Sequence, residues 1–455
     1  MGFYNVLAEN MLHRSMDLIS GSSISKDYKE LKKTQWLNHS ELVQMQNKRF
    51  VKLVNHTYEN VPFYRKKWDT AGVKIDTIKS IDDITTLPIV CKKDMIGNFE
   101  SLKSKDFLSF KSRLTNTGGS NTGEPFSYYL QRESWSMIVA AVVRGREWAG
   151  YRLGDKLIGV GASSIIPDKQ SSFGKRMWKR LERQYGVSTL GLNPEGIDNY
   201  INFIGQKKIK YLRGYPSGIF VMAKHISDNN IEPPELKAIF TTSEVLNDLY
   251  RKTIESTFRV KVFDEYGVRD GGALAMECDA HMGLHLTEEK TITEIVDDTG
   301  TPLIGKIGDV VHTDLYNYAF PFIRYNVEDR GIISLDQCGC GRELPRFTTI
   351  EGRKTDIIKF SNGKSWIGSG AIVIFNDFDL RKYQLVETSK DNIRVLIIPG
   401  KTFNATEKKR LASVLEYNAG PGVTIEVDEV ESIQETKSGK MKVIISKDSS
   451  TRRNN

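Results

Sequence analysis

Between residues 110 and 350, short apolar β-rich runs alternate with longer helical patterns, and this alternation narrows the fold more than any other feature of the chain. Lys156-Leu-Ile-Gly-Val160, Ala238-Ile-Phe-Thr241 and Val260-Lys-Val-Phe263 read as strands, with helices such as Ser217 to Ser227 between them. Parallel strands need a crossover long enough to hold a helix, so the repetition predicts an α/β domain on a largely parallel sheet. Upstream, Leu42, Met45, Phe50, Leu53, Val54 and Tyr58 recur at helical spacing behind Asn38 or Ser40 as an N-cap, and Pro62 stops the pattern. After Gly352 the pattern restarts with strand-like Asp356 to Phe360, Tyr383 to Val386, Ile393 to Ile398 and Met441 to Ser446, and a helix over Thr406 to Tyr417. The expected organisation is a helical part over 1–110, an α/β core over 111–352, and a small α+β domain over 353–455.

With 455 residues there is room for such a large domain and a second small one. Hydrophobic residues at 39% and charged residues at 27% exclude a disordered chain. The best apolar run, Met137 to Val143, falls far short of the roughly 18 residues a membrane span needs, so no transmembrane segment is expected. The start lacks a signal-peptide pattern, and Val6 stands where myristoylation needs Ser or Thr, which predicts a cytoplasmic protein. The N-terminal helices leave peripheral membrane attachment open. Lys plus Arg (65) over Asp plus Glu (57) gives +8, spread along the chain and partly in the tail after Lys447. That suits an anionic partner such as a nucleotide, a membrane face or an acidic glycan, or simply a basic surface, and nucleic acid is not expected. Four cysteines are too few for a disulfide framework.

Thr115-Asn-Thr-Gly-Gly-Ser-Asn-Thr-Gly-Glu-Pro125 is the most suggestive local segment. Glycines let backbone N–H groups approach phosphates, and hydroxyls add donors or a Mg²⁺ ligand. Gly118 and Gly123 have Walker A spacing, but Glu124 stands where that motif needs lysine and would repel terminal phosphates. Taken alone, the segment reads equally well as a surface turn of small polar residues.

Thr117-Gly-Gly-Ser-Asn-Thr-Gly-Glu-Pro125 resembles the phosphate-binding loop of the acyl-adenylate-forming superfamily. Further segments resemble that family's motifs in order: Tyr211 to Ser217 its acyl pocket, Thr241 to Leu246 its adenine-flanking loop, and Asp264 to Asp270 its Tyr-Gly-x-x-Glu motif. Tyr325-Asn-Val-Glu-Asp329 resembles Tyr-x-x-Gly-Asp, Gly352-Arg353 the hinge, and Lys437-Ser-Gly-Lys440 the C-terminal Gly-Lys. Asn60 to Tyr64, Leu87 to Val90, Gly283-Leu-His285, Phe322 to Tyr325 and Cys338-Gly-Cys-Gly-Arg342 are closest to the phenylacetate–CoA ligase branch and its capsular-polysaccharide-biosynthesis relatives.

The resemblance implies a large N-terminal domain with a helical start and mostly parallel sheets, a mobile C-terminal lid, and ATP-dependent carboxylate activation through an acyl-AMP. Thr117, Gly118, Gly119, Ser120, Thr122 and Gly123 would wrap the leaving phosphates, with Ser243, Glu244, Tyr266 and Gly267 around the adenine. Asp329 and Arg353 would hold the ribose, Asp270 would help hold Mg²⁺, and Tyr215, Pro216 and Ser217 would line the acyl pocket. Lys440 would bridge the two anionic reactants as the catalytic cation. The acyl acceptor would be CoA or an amine or hydroxyl on a sugar or polymer, and a homodimer is compatible with the family.

Several positions depart from the family pattern. Asn121 is an apparent insertion, Asp270 replaces Glu, Glu328 replaces the Gly before Asp329, and Thr355 stands where relatives carry an acidic hinge residue. Cys278, His285, Cys338 and Cys340 make a candidate structural zinc site, with His281 as an alternative ligand and three reduced cysteines without metal as the other reading. The rival to an enzyme is a catalytically inactive relative that binds nucleotide or a partner protein.

Overall fold

The computed structural model describes residues 3–116, 126–161, 180–188, 194–268, 270–272, 274–353, 357–367, 374–375, 378–434 and 443–446. The phosphate-loop candidates Thr117 to Gly123 and the lysine at 440 lie outside these residues. The chain divides into two compact units. One comprises Met1–Gly118, Pro125–Asp155 and Phe263–Ile350; the other comprises Gly119–Glu124, Lys156–Val262 and Glu351–Asn455.

The first unit starts with helices. In His39–Asn60, Asn38 accepts from the Glu41 backbone while the Glu41 side chain accepts from the Asn38 N–H, so the cap is Asn38 rather than Ser40. Leu42, Gln46, Phe50, Leu53, Val54 and Thr57 form its buried stripe, and Pro62 opens the next helix, Pro62–Thr70, where its missing N–H costs nothing. Strands follow in the spatial order Thr291–Val296, Gly308–Asp314, Tyr325–Ser334, Arg346–Arg353, Leu284–Leu286, Leu274–Glu277 and Val262–Gly267. Their main core runs from Phe50 and Trp68 through Tyr128 to Phe322 and Phe347.

The second unit holds Ala238–Thr242, Tyr211–Gly214, Leu157–Gly161 and Gln184–Ser188 in that order, all parallel, alternating with Pro194–Lys207, Pro216–Asp228 and Asp248–Phe258. Here the alternation behaves as the sequence predicts. The expected parallel direction fails in the first unit, where Thr291–Val296 pairs antiparallel with Gly308–Asp314, and Leu284–Leu286 with Leu274–Glu277. The connections there are too short to carry a crossover helix, so adjacent strands fold straight back. The C-terminal part of the second unit orders Thr424–Glu429, Asn392–Pro399, Leu380–Ser389 and Ile444–Ile445, and the helix Ala405–Ala419 shares the core of Leu385, Val395, Leu411 and Leu415. Lys224 reaches Asp379 at 2.8 Å, and Asp379 also accepts from the Thr402 backbone, tying the helix Pro216–Asp228 to this part. Among the described residues no helix is long and apolar enough to cross a membrane.

Charged groups are buried in the first unit with their partners. Arg144 and Glu289 pair at 2.7 Å with side-chain exposures of 0% and 2%, and Thr34 donates to the same Glu289 oxygen. Losing one partner of such a pair costs about 3–5 kcal/mol, because the other is left buried and uncompensated. Glu288 differs, having among the described residues the Gln46 amide at 2.6 Å as its side-chain partner. Burial pushes its carboxyl up to about 8, helped by the neighbouring Glu289 and opposed by Gln46. The folded chain therefore keeps a proton that the unfolded chain releases at ordinary carboxylate pH, so stability falls as pH rises from that range towards 8. Thermal melts of Glu288→Gln should show a flatter dependence between pH 5 and 8 than the parent, with the variant gaining most at pH 8; parallel slopes would contradict this.

Candidate nucleotide and metal sites

Two tyrosine–aspartate pairs interlock in the first unit. The strand Val262–Gly267 carries Tyr266 and leads to Asp270, while Tyr325–Ser334 carries Tyr325 and Asp329. Tyr266 donates its hydroxyl to Asp329 Oδ2 at 2.8 Å, and Tyr325 donates to Asp270 Oδ2 at 2.8 Å. Each segment thus supplies one donor and one acceptor, four residues apart. Phe347 packs edge-on to Tyr266 at 5.2 Å and fixes its ring. Burial and the Asp270 charge both hold the Tyr325 phenol protonated, as its donor role requires.

Asp329 leaves the regular strand through an irregularity, since pairing with Gly308–Asp314 shifts register between Asp309 and Val311. Glu328 sits at φ +67° within it, its N–H donated to Asn326 Oδ1 at 2.8 Å. A side chain in this left-handed region costs roughly 1–2 kcal/mol. Glycine would take this conformation without that cost, whereas here a glutamate holds it. Asp270, Gly271 and Gly272 form a turn with φ of +75° and +65° at the two glycines.

In the second unit Tyr215 is fully buried, Pro216 opens the helix Pro216–Asp228, and the Ser217 N–H donates to Glu244 Oε2 at 3.1 Å. The acyl-pocket candidates and Glu244 of the adenine-flanking loop are therefore neighbours. Ser243 adopts φ +72°, and Gly352 adopts φ +83° with its would-be Cβ 3.2 Å from Val245. Arg353 closes the strand Arg346–Arg353, and Gly267 ends Val262–Gly267 on an exposed position.

Cys278, His285, Cys338 and Cys340 converge, with all ligand atoms within 4.8 Å of one another. Cys278 and Cys338 Sγ lie 3.7 Å apart, and Cys340 Sγ is 3.3 Å from His285 Nε2. A tetrahedral zinc with Zn–S of about 2.3 Å has S···S edges of roughly 3.7 Å, so the set is close to closed coordination. His285 Nδ1 lies 2.9 Å from the Leu344 carbonyl; protonated there, it donates and leaves the Nε2 lone pair facing the thiols. Burial keeps this imidazole neutral, lowering it to about 4, while burial pushes the Cys278 thiol up to about 12. A buried thiol of that kind becomes a thiolate only beside a cation, and the residues present therefore fit a zinc ion. His281 turns instead to Glu277 Oε1 at 3.0 Å and stands outside the group, which removes it as the alternative ligand. Gly283 makes the approach possible: at φ +113° its would-be Cβ lies 2.4 Å from the Phe347 carbonyl.

Comparison with known proteins gives these sites a context. A family model described as the CapK C-terminal domain matches residues 361–447. Protein CapK of Staphylococcus aureus is 27% identical over 92% of both chains. A phenylacetate–coenzyme A ligase of Aromatoleum evansii is 25% identical over 91% of this chain and 97% of its own. A crystal structure of 2-hydroxyisobutyryl-CoA ligase in the postadenylation state, complexed with R3-HIB-AMP, superposes with a TM-score of 0.73 at 21% identity, covering 90% of this chain and 91% of that one. The fold is the acyl-CoA ligase fold. In sequence the chain resembles the phenylacetate–CoA ligase-like branch of the acyl-adenylate-forming superfamily, together with its capsular relatives.

The motif reading names Tyr266, Asp270 and Asp329 but misses the hydrogen bonds that interlock them, since spacing along the chain carries no information about a partner 63 residues away. It also misses Lys290, His312 and Asp314, buried behind the Asp270 turn. A charged run before a strand ordinarily reads as a solvated face, so the sequence offers no signal for them.

For the metal cluster, elemental analysis of protein purified without chelator should find close to one zinc per chain. Cys340→Ser or His285→Ala should weaken zinc retention against a chelator by about 10–100-fold or more. Metal-free wild-type protein with an unchanged melting temperature would argue against the site.

Proposed function

We propose that this chain is an AMP-forming acid ligase that activates a carboxylic acid with ATP and passes the acyl group to an acceptor. A carboxylate oxygen attacks the α-phosphorus, the bond to the bridging oxygen of the leaving pyrophosphate breaks, and an acyl-AMP forms. An acceptor thiol, amine or hydroxyl then attacks the acyl carbon, loses its proton, and releases AMP. The observation that carries the reading is the interlocked Tyr266–Asp329 and Tyr325–Asp270 arrangement within an acyl-CoA ligase fold.

Asp329 would accept the ribose hydroxyls, with Tyr266 fixing its carboxylate and stacking near the base, alongside Gly267, Ser243 and Glu244. Asp270 offers a hard carboxylate oxygen outside its bond to Tyr325, and it is partly exposed, which fits Mg²⁺. When bound, that cation offsets phosphate charge. Tyr215, Pro216 and Ser217 would shape the acyl pocket, and Thr117 to Gly123 would donate to the leaving phosphates. Residues 353–455 would form the lid, turning at Gly352-Arg353 and bringing Lys440 to the reacting anions. The positive φ at Gly352 and the family match over 361–447 support that division. The zinc cluster would brace the strand Arg346–Arg353 and take no part in chemistry. Relatives named as CoA ligases favour CoA as acceptor. The likeness to CapK suggests a sugar or polymer acceptor in surface-polysaccharide synthesis as the other outcome.

Pyrophosphate exchange over a panel of carboxylic acids tests the reaction and the acyl specificity together. At least one acid should support exchange. Lys440→Ala should lower it by about 10²–10³-fold through loss of one transition-state donor. Asp329→Ala should instead act mainly on ATP binding, by roughly 10–100-fold, since hydrogen bonds to a charged group contribute about 1.5–3 kcal/mol. ATP binding without exchange for any acid would overturn the proposal.

A further inference from the structure

Behind the Asp270 turn lies a charge pair that the adenylation chemistry does not use. Lys290 Nζ and Asp314 Oδ1 are 2.9 Å apart, and both side chains have zero exposure. The strands Thr291–Val296 and Gly308–Asp314 pair with Thr291 opposite Asp314, so Lys290, one residue before its strand, falls beside the end of the neighbouring one. Asp314 is fully engaged: Ser134 donates to Oδ2 at 2.7 Å and the Tyr316 N–H to Oδ1 at 3.0 Å. Lys290 directs a second N–H to the Gly271 carbonyl at 3.0 Å. Below the same turn, His312 is completely buried, neither ring nitrogen has a hydrogen-bond partner among the described residues, and its Nε2 lies 2.0 Å from where a Cβ on Gly271 would sit. Tyr325, the donor to Asp270, packs edge-on to that imidazole at 5.7 Å.

A buried ion pair is a costly way to stabilise a core, because apolar residues of similar volume often do as well or better. What an apolar pair could not do is hold a carbonyl. Two consecutive glycines at positive φ make a turn with wide freedom, and without a donor the Gly271 carbonyl would be buried unpaired or would swing away. Asp270 would move with it. We propose that Lys290, held by Asp314, is a positioning residue that fixes the Asp270–Gly272 turn and so sets the Asp270 carboxylate for the divalent cation of a bound nucleotide. The idea rests on the cation-side role given to Asp270 above.

The test is binding of Mn²⁺–ATP to the full chain, read as the enhanced water-proton relaxation of the chain-bound ion over that of Mn²⁺–ATP free in solution. Two neutral pairs are compared. Lys290→Met with Asp314→Leu removes the donor, whereas Lys290→Gln with Asp314→Asn keeps an amide able to reach Gly271. The apolar pair should raise the Mn²⁺–ATP midpoint about tenfold, the size of effect seen when the support of a metal ligand is lost. The amide pair should stay within about threefold of wild type on the same scale. In an Asp270→Asn background the difference between the pairs should vanish. An apolar pair with wild-type melting temperature and unchanged midpoint overturns the proposal, as do equal shifts from both pairs or shifts that persist without Asp270. Failure of both pairs to fold assigns the lysine to stability alone and overturns it too. A wild-type chain that binds Mn²⁺ with ATP yet exchanges no pyrophosphate removes the adenylation reading and leaves this one standing.

Discussion

Three consecutive ionisable side chains, Glu288, Glu289 and Lys290, leave water together, the first as a neutral acid, and each draws on a different part of the first unit for its partner. Gln46 comes from the long helix His39–Asn60, Arg144 from Arg132–Glu147, and Asp314 from the end of a strand. Charges buried this way tolerate little misplacement, since an unmatched one costs several kcal/mol. The helices are therefore held in register with the sheet by electrostatics as well as by the apolar core. The third member carries the constraint into the turn that presents Asp270. Helix packing and the geometry of the candidate nucleotide site share one short segment.

The interlocked tyrosine–aspartate pairs extend this logic. A carboxylate proposed to meet a ribose or a cation should not wander, and each aspartate here is pinned by a phenol from the other's segment. Neither pair can shift without disturbing both strands. The left-handed Glu328 shows the same priority, because the chain keeps the bend that aims Asp329 even with a side chain that resists it. Local strain is accepted where the geometry of a site demands it.

How much of this was legible in the sequence depends on the range of the forces involved. The helix His39–Asn60 could be read from the spacing of Leu42, Phe50 and Leu53 and from its cap, all local signals. The parallel strands of the second unit followed from their alternation with helices. Strand direction in the first unit did not: the connection from Val262–Gly267 to Leu274–Glu277 does carry a turn signal, Asp270-Gly271-Gly272, but 278–283 and 297–307 hold no such dipeptide. The cysteines and His285 could be grouped from the sequence, with His281 as the alternative, and the Leu344 and Glu277 contacts then separate the two imidazoles. Lys290 was invisible for a simpler reason: a lysine before a strand is solvated in most proteins, and only tertiary structure shows this one to be dry.

The four metal-binding candidates differ in one respect with a chemical consequence. Cys278, His285 and Cys338 are buried, while Cys340 is partly open to solvent. Peroxide or an electrophile arriving from outside meets that sulfur first. Conversion of Cys340 to a sulfenic acid would withdraw it as a thiolate, and with the Cys278 and Cys338 sulfurs in the same cluster it would condense with a neighbouring thiol to a disulfide, releasing water. External thiols reverse that first stage, and the sulfur open to solvent is the one through which they would act.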